Sequence, residues 1–145
     1  MSEPALVDAF AGFPRRLAAA AKARVAEWRP IPEGEWGPNE QVRHLIAVED
    51  EVWRKRLARV AKEDDPQWTW TEPGLAPGFD DASLLELLTV FARRRAKTVA
   101  SVRALDEAGW ARSGTHETYG RLDVAGLLRL AIDHDESHAA SLSAG

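Results

Sequence analysis

Apolar residues recur every three or four positions through most of this chain, and that period selects helices. Leu6, Phe10, Phe13, Leu17 and Ala20 keep it in a first run that ends near Trp28. Val42, Leu45, Ile46, Val48, Val52, Trp53, Leu57 and Val60 form a broad arc in a second. Leu84, Leu87, Leu88, Phe91, Val99, Val102 and Leu105 make a third stripe, and Val124, Leu127, Leu130, Ala131 and Leu142 a fourth. No stretch of useful length alternates apolar and polar residues, so no strand is expected. Four amphipathic helices bury such faces against one another. The expected fold is an all-α four-helix bundle, a single domain over residues 1–145.

Proline, glycine and aspartate set the boundaries. The first helix should run from Glu3 to Trp28, with Pro14 kinking or splitting it. Arg29-Pro30-Ile31-Pro32-Glu33-Gly34 is a break, and Gly37-Pro38 opens a second helix that continues to about Glu63. A third starts near Asp80-Asp81 and stops before Gly109. Asp123 caps the fourth, with Leu122 and Leu127 as its hydrophobic staple. The connection from Asp64 to Phe79 is long. The second helix spans ~39 Å at 1.5 Å per residue, and the connection reaches ~50 Å when extended. It can therefore run back along the whole bundle and leave the second and third helices parallel.

The feature that points to function is Ile132-Asp133-His134-Asp135-Glu136-Ser137-His138. Its two histidines lie one turn apart on the apolar face of the fourth helix. His44 sits in the second turn of the second helix, at the edge of its apolar arc. If these two helices are antiparallel, all three imidazoles fall at the same depth; if parallel, they miss by ~8–12 Å at 1.5 Å per residue. A shared site thus agrees with the long crossover, and both give an up-down-down-up order. Three neutral imidazoles with an open fourth position suit a divalent metal, zinc or nickel. The bland alternative is a set of buried, hydrogen-bonded histidines. No His-Glu-x-x-His pattern supports a metalloprotease.

Other polar residues divide between the site and the scaffold. Glu49 interrupts the second apolar arc and Arg95 the third stripe, at comparable depth, and an ion pair between them is expected. Glu51 lies one face-turn from His44 and is the only candidate for a base or extra ligand; otherwise it is a solvated charge. No catalytic residue follows from the sequence beyond that. Trp36, Phe79 and Ser141 are expected at the site mouth. His116, in the connection between third and fourth helices, falls at the far end of the bundle in this topology and is read as a loop residue, not a ligand.

A formal charge of −4 gives no basic surplus for a nucleic acid. No run approaches the ~18 apolar residues of a membrane span. Cysteine is absent, which removes thiolate ligands and nucleophiles and fits a reducing compartment. Met1-Ser2-Glu3-Pro4 lacks the regions of a signal peptide, so the expected location is the cytoplasm.

Three segments together resemble the DinB/YfiT-like metalloenzyme family (DinB-like domain). They are Trp36-Gly37-Pro38 leading into His44-Leu45, the run Gly114-Thr115-His116-Glu117-Thr118-Tyr119-Gly120-Arg121-Leu122, and His134-Asp135-x-x-His138. The resemblance covers about Trp36 to Leu142. It implies a four-helix bundle in up-down-down-up order, metal ligands at His44, His134 and His138, and a homodimer. It also implies a small-molecule substrate and, in members with an assigned activity, a low-molecular-weight thiol for transfer or isomerisation. Ser141 stands where the family often has glutamine. Two functions follow: a metal-dependent enzyme, a thiol-dependent S-transferase or isomerase, or else a non-catalytic, stress-related bundle that binds a metal or a small molecule.

Overall fold

A computed structural model describes residues 1–144. Helix α1 spans Glu3–Glu27, with Ser2 Oγ accepting from the Ala5 amide at its start. Pro14 neither splits nor ends it. A proline has no N–H for the carbonyl four residues earlier. That carbonyl, Phe10 O, instead accepts a bond of 2.8 Å from Arg95 Nη1.

The second helix runs unbroken from Pro38 but is not uniform. It comprises α2 (Pro38–Val48), a π-helical segment (Glu49–Trp53) and α3 (Arg54–Lys62). In the π segment the Arg54 amide bonds to Glu49 O, five residues back. The wider turn takes up one extra residue, so the face presented by α3 is rotated relative to α2.

Helix α4 spans Leu84–Arg103 and is capped by Ser83, whose Oγ accepts from the Glu86 amide, rather than by Asp80 or Asp81. Asp80 pairs with Arg43 instead. A short helix, α5 (Glu107–Ala111), follows, and α6 spans Val124–Ala144 with Asp123 Oδ1 accepting from the Gly126 amide at 2.8 Å.

The directions of the helices can be read from their side-chain pairs. Asn39 meets Ala82, Asp50 meets Arg94 and Arg54 meets Thr98, so α2–α3 and α4 run parallel. Gln41 meets His138 while Trp53 meets His134, so α6 is antiparallel to them. Asp8 meets Arg103 and Phe10 meets Arg95, which makes α1 antiparallel to α4. The bundle is up-down-down-up.

Contrary to the sequence expectation, strands are present. β1 (Gln67–Trp68), β2 (Ser113–His116) and β3 (Gly120–Asp123) form a sheet in the order β1-β2-β3. β1 is parallel to β2, with Trp68 opposite His116; β2 and β3 form an antiparallel hairpin. Strands this short carry no readable alternation. Gly120 takes a φ of +74° where the hairpin closes, which suits a residue without a Cβ. Gly114 is required for a different reason: a Cβ there would lie 2.4 Å from the Trp68 ring and 2.7 Å from Pro66 O. The hairpin therefore lies directly against the crossover.

Most of the buried apolar side chains fall into two clusters. One gathers Phe10, Val52, Trp53, Trp68 and Leu127 beneath the sheet, and the other Phe13, Leu17, Leu45, Phe91 and Leu142. Between them Arg95, 1% exposed, forms ion pairs with Glu49 and Asp135. Its Nη1 and Nη2 donate to both oxygens of Asp135 and its Nε to Glu49 Oε1. The sequence reading paired Arg95 with Glu49 and missed Asp135.

Candidate metal centre

α2 and α6 bring three imidazoles together at one side of the bundle. The ring of His44 lies 5.0 Å from that of His138 and 5.9 Å from that of His134, and the latter two are 4.5 Å apart. One ligating atom from each lies within 4.8 Å of the other two. Two rings are held from behind. His44 Nδ1 bonds Gly74 O at 3.1 Å, and His138 Nδ1 bonds Gln41 Oε1 at 2.7 Å. Each acceptor demands a proton on Nδ1 and leaves the Nε2 lone pair free, the tautomer a metal ligand needs. Burial is the main force holding His134 and His138 down to a pKa of about 4, with His44 adding to it for both. Both rings are therefore uncharged at neutral pH.

A divalent cation fits this donor set. The three groups are soft-to-borderline nitrogens, two of them have fixed tautomers, and His134 Nδ1 is buried without a hydrogen-bond partner among the described residues.

The histidines open onto a cavity of about 610 Å³. Trp53, Val48 and Val52 form part of its floor, and the half-exposed Trp36, Trp70 and Tyr119 stand at its rim. The Trp36 ring lies 4.9 Å from His44 and lines the cavity. Phe79 does not: it packs on the second core cluster and faces a shallow groove with Pro38 and Arg43. The crossover residues at the cavity are Trp70 to Pro73, earlier in the chain than expected. Ser141 is exposed and donates to Ser137 O on its own helix, outside the cavity lining. Glu51 is exposed and lies outside the cavity as well. The π segment accounts for this. An ideal helix would set Glu51 beneath His44; the wider turn carries it to solvent and brings Val52 and Trp53 to the cavity instead.

The largest correction concerns His116. It is neither in a loop nor remote, but buried on β2 at 1% exposure, and it lines the same cavity. The pairing of β1 with β2 is what returns the hairpin over this end of the site. His116 is not among the three residues whose ligating atoms converge. The sequence reading also missed Arg56 and Tyr119 in the lining. Arg56 carried one usable signal, a charge between the apolar positions Trp53, Leu57 and Val60, but only with the π offset does it turn inward.

The sequence profile of the DinB superfamily matches residues 11–142. Among solved structures, YfiT from Bacillus subtilis superposes with a TM-score of 0.76 at 17% identity, covering 99% of this chain and 86% of that one. That protein is described as a probable metal-dependent hydrolase with an unusual four-helix bundle topology, and at this identity the likeness bears on the fold. No curated protein matches the sequence.

Proposed function

The chain belongs to the DinB superfamily, and from that premise we propose that it is a metal-dependent enzyme acting on a small molecule. The observation that carries this reading is the convergence of His44, His134 and His138 at the wall of an aromatic-rimmed cavity. A zinc- or nickel-like cation held by His44, His134 and His138 would supply Lewis acidity and would lower the pKa of a water or thiol.

The chain's own residues do the rest. Gly74 O and Gln41 Oε1 fix two ligand tautomers. Trp36, Trp53 and Trp70 supply apolar wall that excludes water from the reacting end. Two carboxylates line the cavity, and Glu72 already accepts from Trp70 Nε1. Glu72 and Asp133 are thus the carboxylates available to take a proton from the nucleophile.

Two nucleophiles suit that chemistry. With water the reaction is a hydrolysis, the class ascribed to YfiT. With a low-molecular-weight thiol it is the S-transfer or isomerisation implied by the family resemblance. Turnover of a panel of small esters, amides and electrophiles, with and without added thiol, tests the reading and separates the two. Activity that requires metal and is lost in His134→Ala is expected. Equal activity in chelated and zinc-loaded protein would overturn it.

A further inference from the structure

The cavity that holds the three histidines is also lined by Arg56 and His116, and around them lie several side-chain donors with no acceptor among the described residues. Arg56 is 7% exposed and lines the cavity, and the contacts its guanidinium makes among the described residues are with aromatic rings rather than with a hydrogen-bond or ion-pair partner. Its guanidinium lies 5.9 Å from the rings of both Trp53 and Trp68. Cation–π attraction at that range offsets a small part of the cost of burying a charge, and it leaves the N–H groups of the guanidinium unused. Burial lowers the pKa of Arg56, and no carboxylate counters that.

His116 adds an independent observation. Its Nδ1 accepts from the amides of Thr118 and Tyr119, at 3.0 and 3.4 Å, so the neutral ring carries its proton on Nε2. That Nε2–H is buried and has no acceptor. Burial, and then the charge of Arg56, lowers its pKa. Trp53 Nε1 and Trp68 Nε1 are likewise buried without acceptors. The unpartnered groups of Arg56, His116, Trp53 and Trp68 are all donors, and what complements donors is a ligand group that offers acceptors.

We propose that Arg56 and His116 form a subsite for an oxyanion, a carboxylate or phosphate, that anchors an anionic small-molecule substrate while its other end faces the three histidines. Trp53 links the two ends: its ring lies 5.9 Å from that of His134 and 5.9 Å from the Arg56 guanidinium. The proposal names the substrate class for the function above and rests on that reading only for the reacting end. An Arg fork supplies paired donors suited to two oxygens, and His116 supplies a further one.

Tryptophan fluorescence reports on the site directly, because Trp36, Trp53 and Trp70 line it. The full chain, both zinc-loaded and chelator-treated, is titrated with benzoate, phenyl phosphate and the uncharged benzamide. An anion is expected to bind at least about tenfold more tightly than benzamide in both forms. Whichever anion binds better identifies the oxyanion. Arg56→Met should abolish the preference. Arg56→Lys, which keeps the charge and serves if the methionine variant does not fold, should weaken anion binding several-fold and leave benzamide unchanged. Three results would overturn the subsite: equal binding of anion and amide, a preference that survives both substitutions, or a preference confined to the zinc-loaded form, where the metal itself holds the anion. A chain that binds no metal but keeps the anion preference would defeat the metal reading and leave the subsite standing.

Discussion

Replacing Arg95 with methionine should cost this fold more than almost any other single change. The guanidinium is 1% exposed and ties together four parts of the chain. It bonds Phe10 O on α1, Glu49 in the π segment and both carboxylate oxygens of Asp135 on α6, from its own place on α4. Methionine keeps most of the volume, so the loss is electrostatic. It leaves two buried carboxylates without a cation, and removing one partner of a buried pair costs about 3–5 kcal/mol. It also leaves Phe10 O, already denied its helix donor by Pro14, without a hydrogen bond; that is about 1–3 kcal/mol more, and the two do not simply add. Taking about 4–5 kcal/mol together, at about 2–4 °C per kcal/mol for a chain of this size, the melting temperature should fall by about 8–20 °C. Far-UV circular dichroism melts at pH 7 measure this. The deficit should shrink in acid, because protonation discharges the abandoned carboxylates. Adding Glu49→Gln and Asp135→Asn to the Arg95→Met chain should recover part of the loss. An Arg95→Met protein that melts within about 2 °C of the parent would refute the argument.

Other outcomes follow from the same geometry. Chelator-treated protein should lose stability as pH falls from about 6.5 toward 4: His134 and His138 titrate near 4 when folded and near 6.5 when unfolded, so the unfolded chain binds more protons in that window. Urea midpoints that stay flat between pH 7 and 4.5 would contradict this. Gly114→Ala drives a Cβ into the Trp68 ring and Pro66 O, and should destabilise by about 1–3 kcal/mol in denaturant titrations. Glu51→Gln should change neither metal affinity nor turnover, since Glu51 is exposed and outside the cavity; a drop of tenfold or about 1.4 kcal/mol would restore it as a site residue.

What the sequence made legible was what repeats locally. The helices follow from apolar period. His134 and His138 stood out because imidazoles interrupt an apolar face, and Glu49 and Arg95 because charges do. Asp135 did not, since the run Asp133-His134-Asp135-Glu136 is polar throughout and periodicity cannot single out its buried member. Glu51 was set beneath His44 by ideal helical geometry, and one π turn undid that; nothing in Glu49-Asp50-Glu51-Val52-Trp53 announces such a turn. Phe79 was placed by the reach of the crossover and Ser141 by standing where the family often has glutamine, whereas the rim is built by Trp36, Trp70 and Tyr119. His116 was missed for the deepest reason. Its position depends on the pairing of Trp68 with His116 across two- and four-residue strands, a long-range contact with no local signature.

His44, His134 and His138 are proposed to hold one divalent cation. Metal content of the purified chain after zinc loading and desalting, set beside His44→Ala, His134→Ala and His138→Ala chains that melt normally after chelation, measures it directly. About one equivalent per chain, retained by the parent and lost in each variant, is the expected result. A parent chain that holds no metal, or variants that hold as much as the parent, would contradict it.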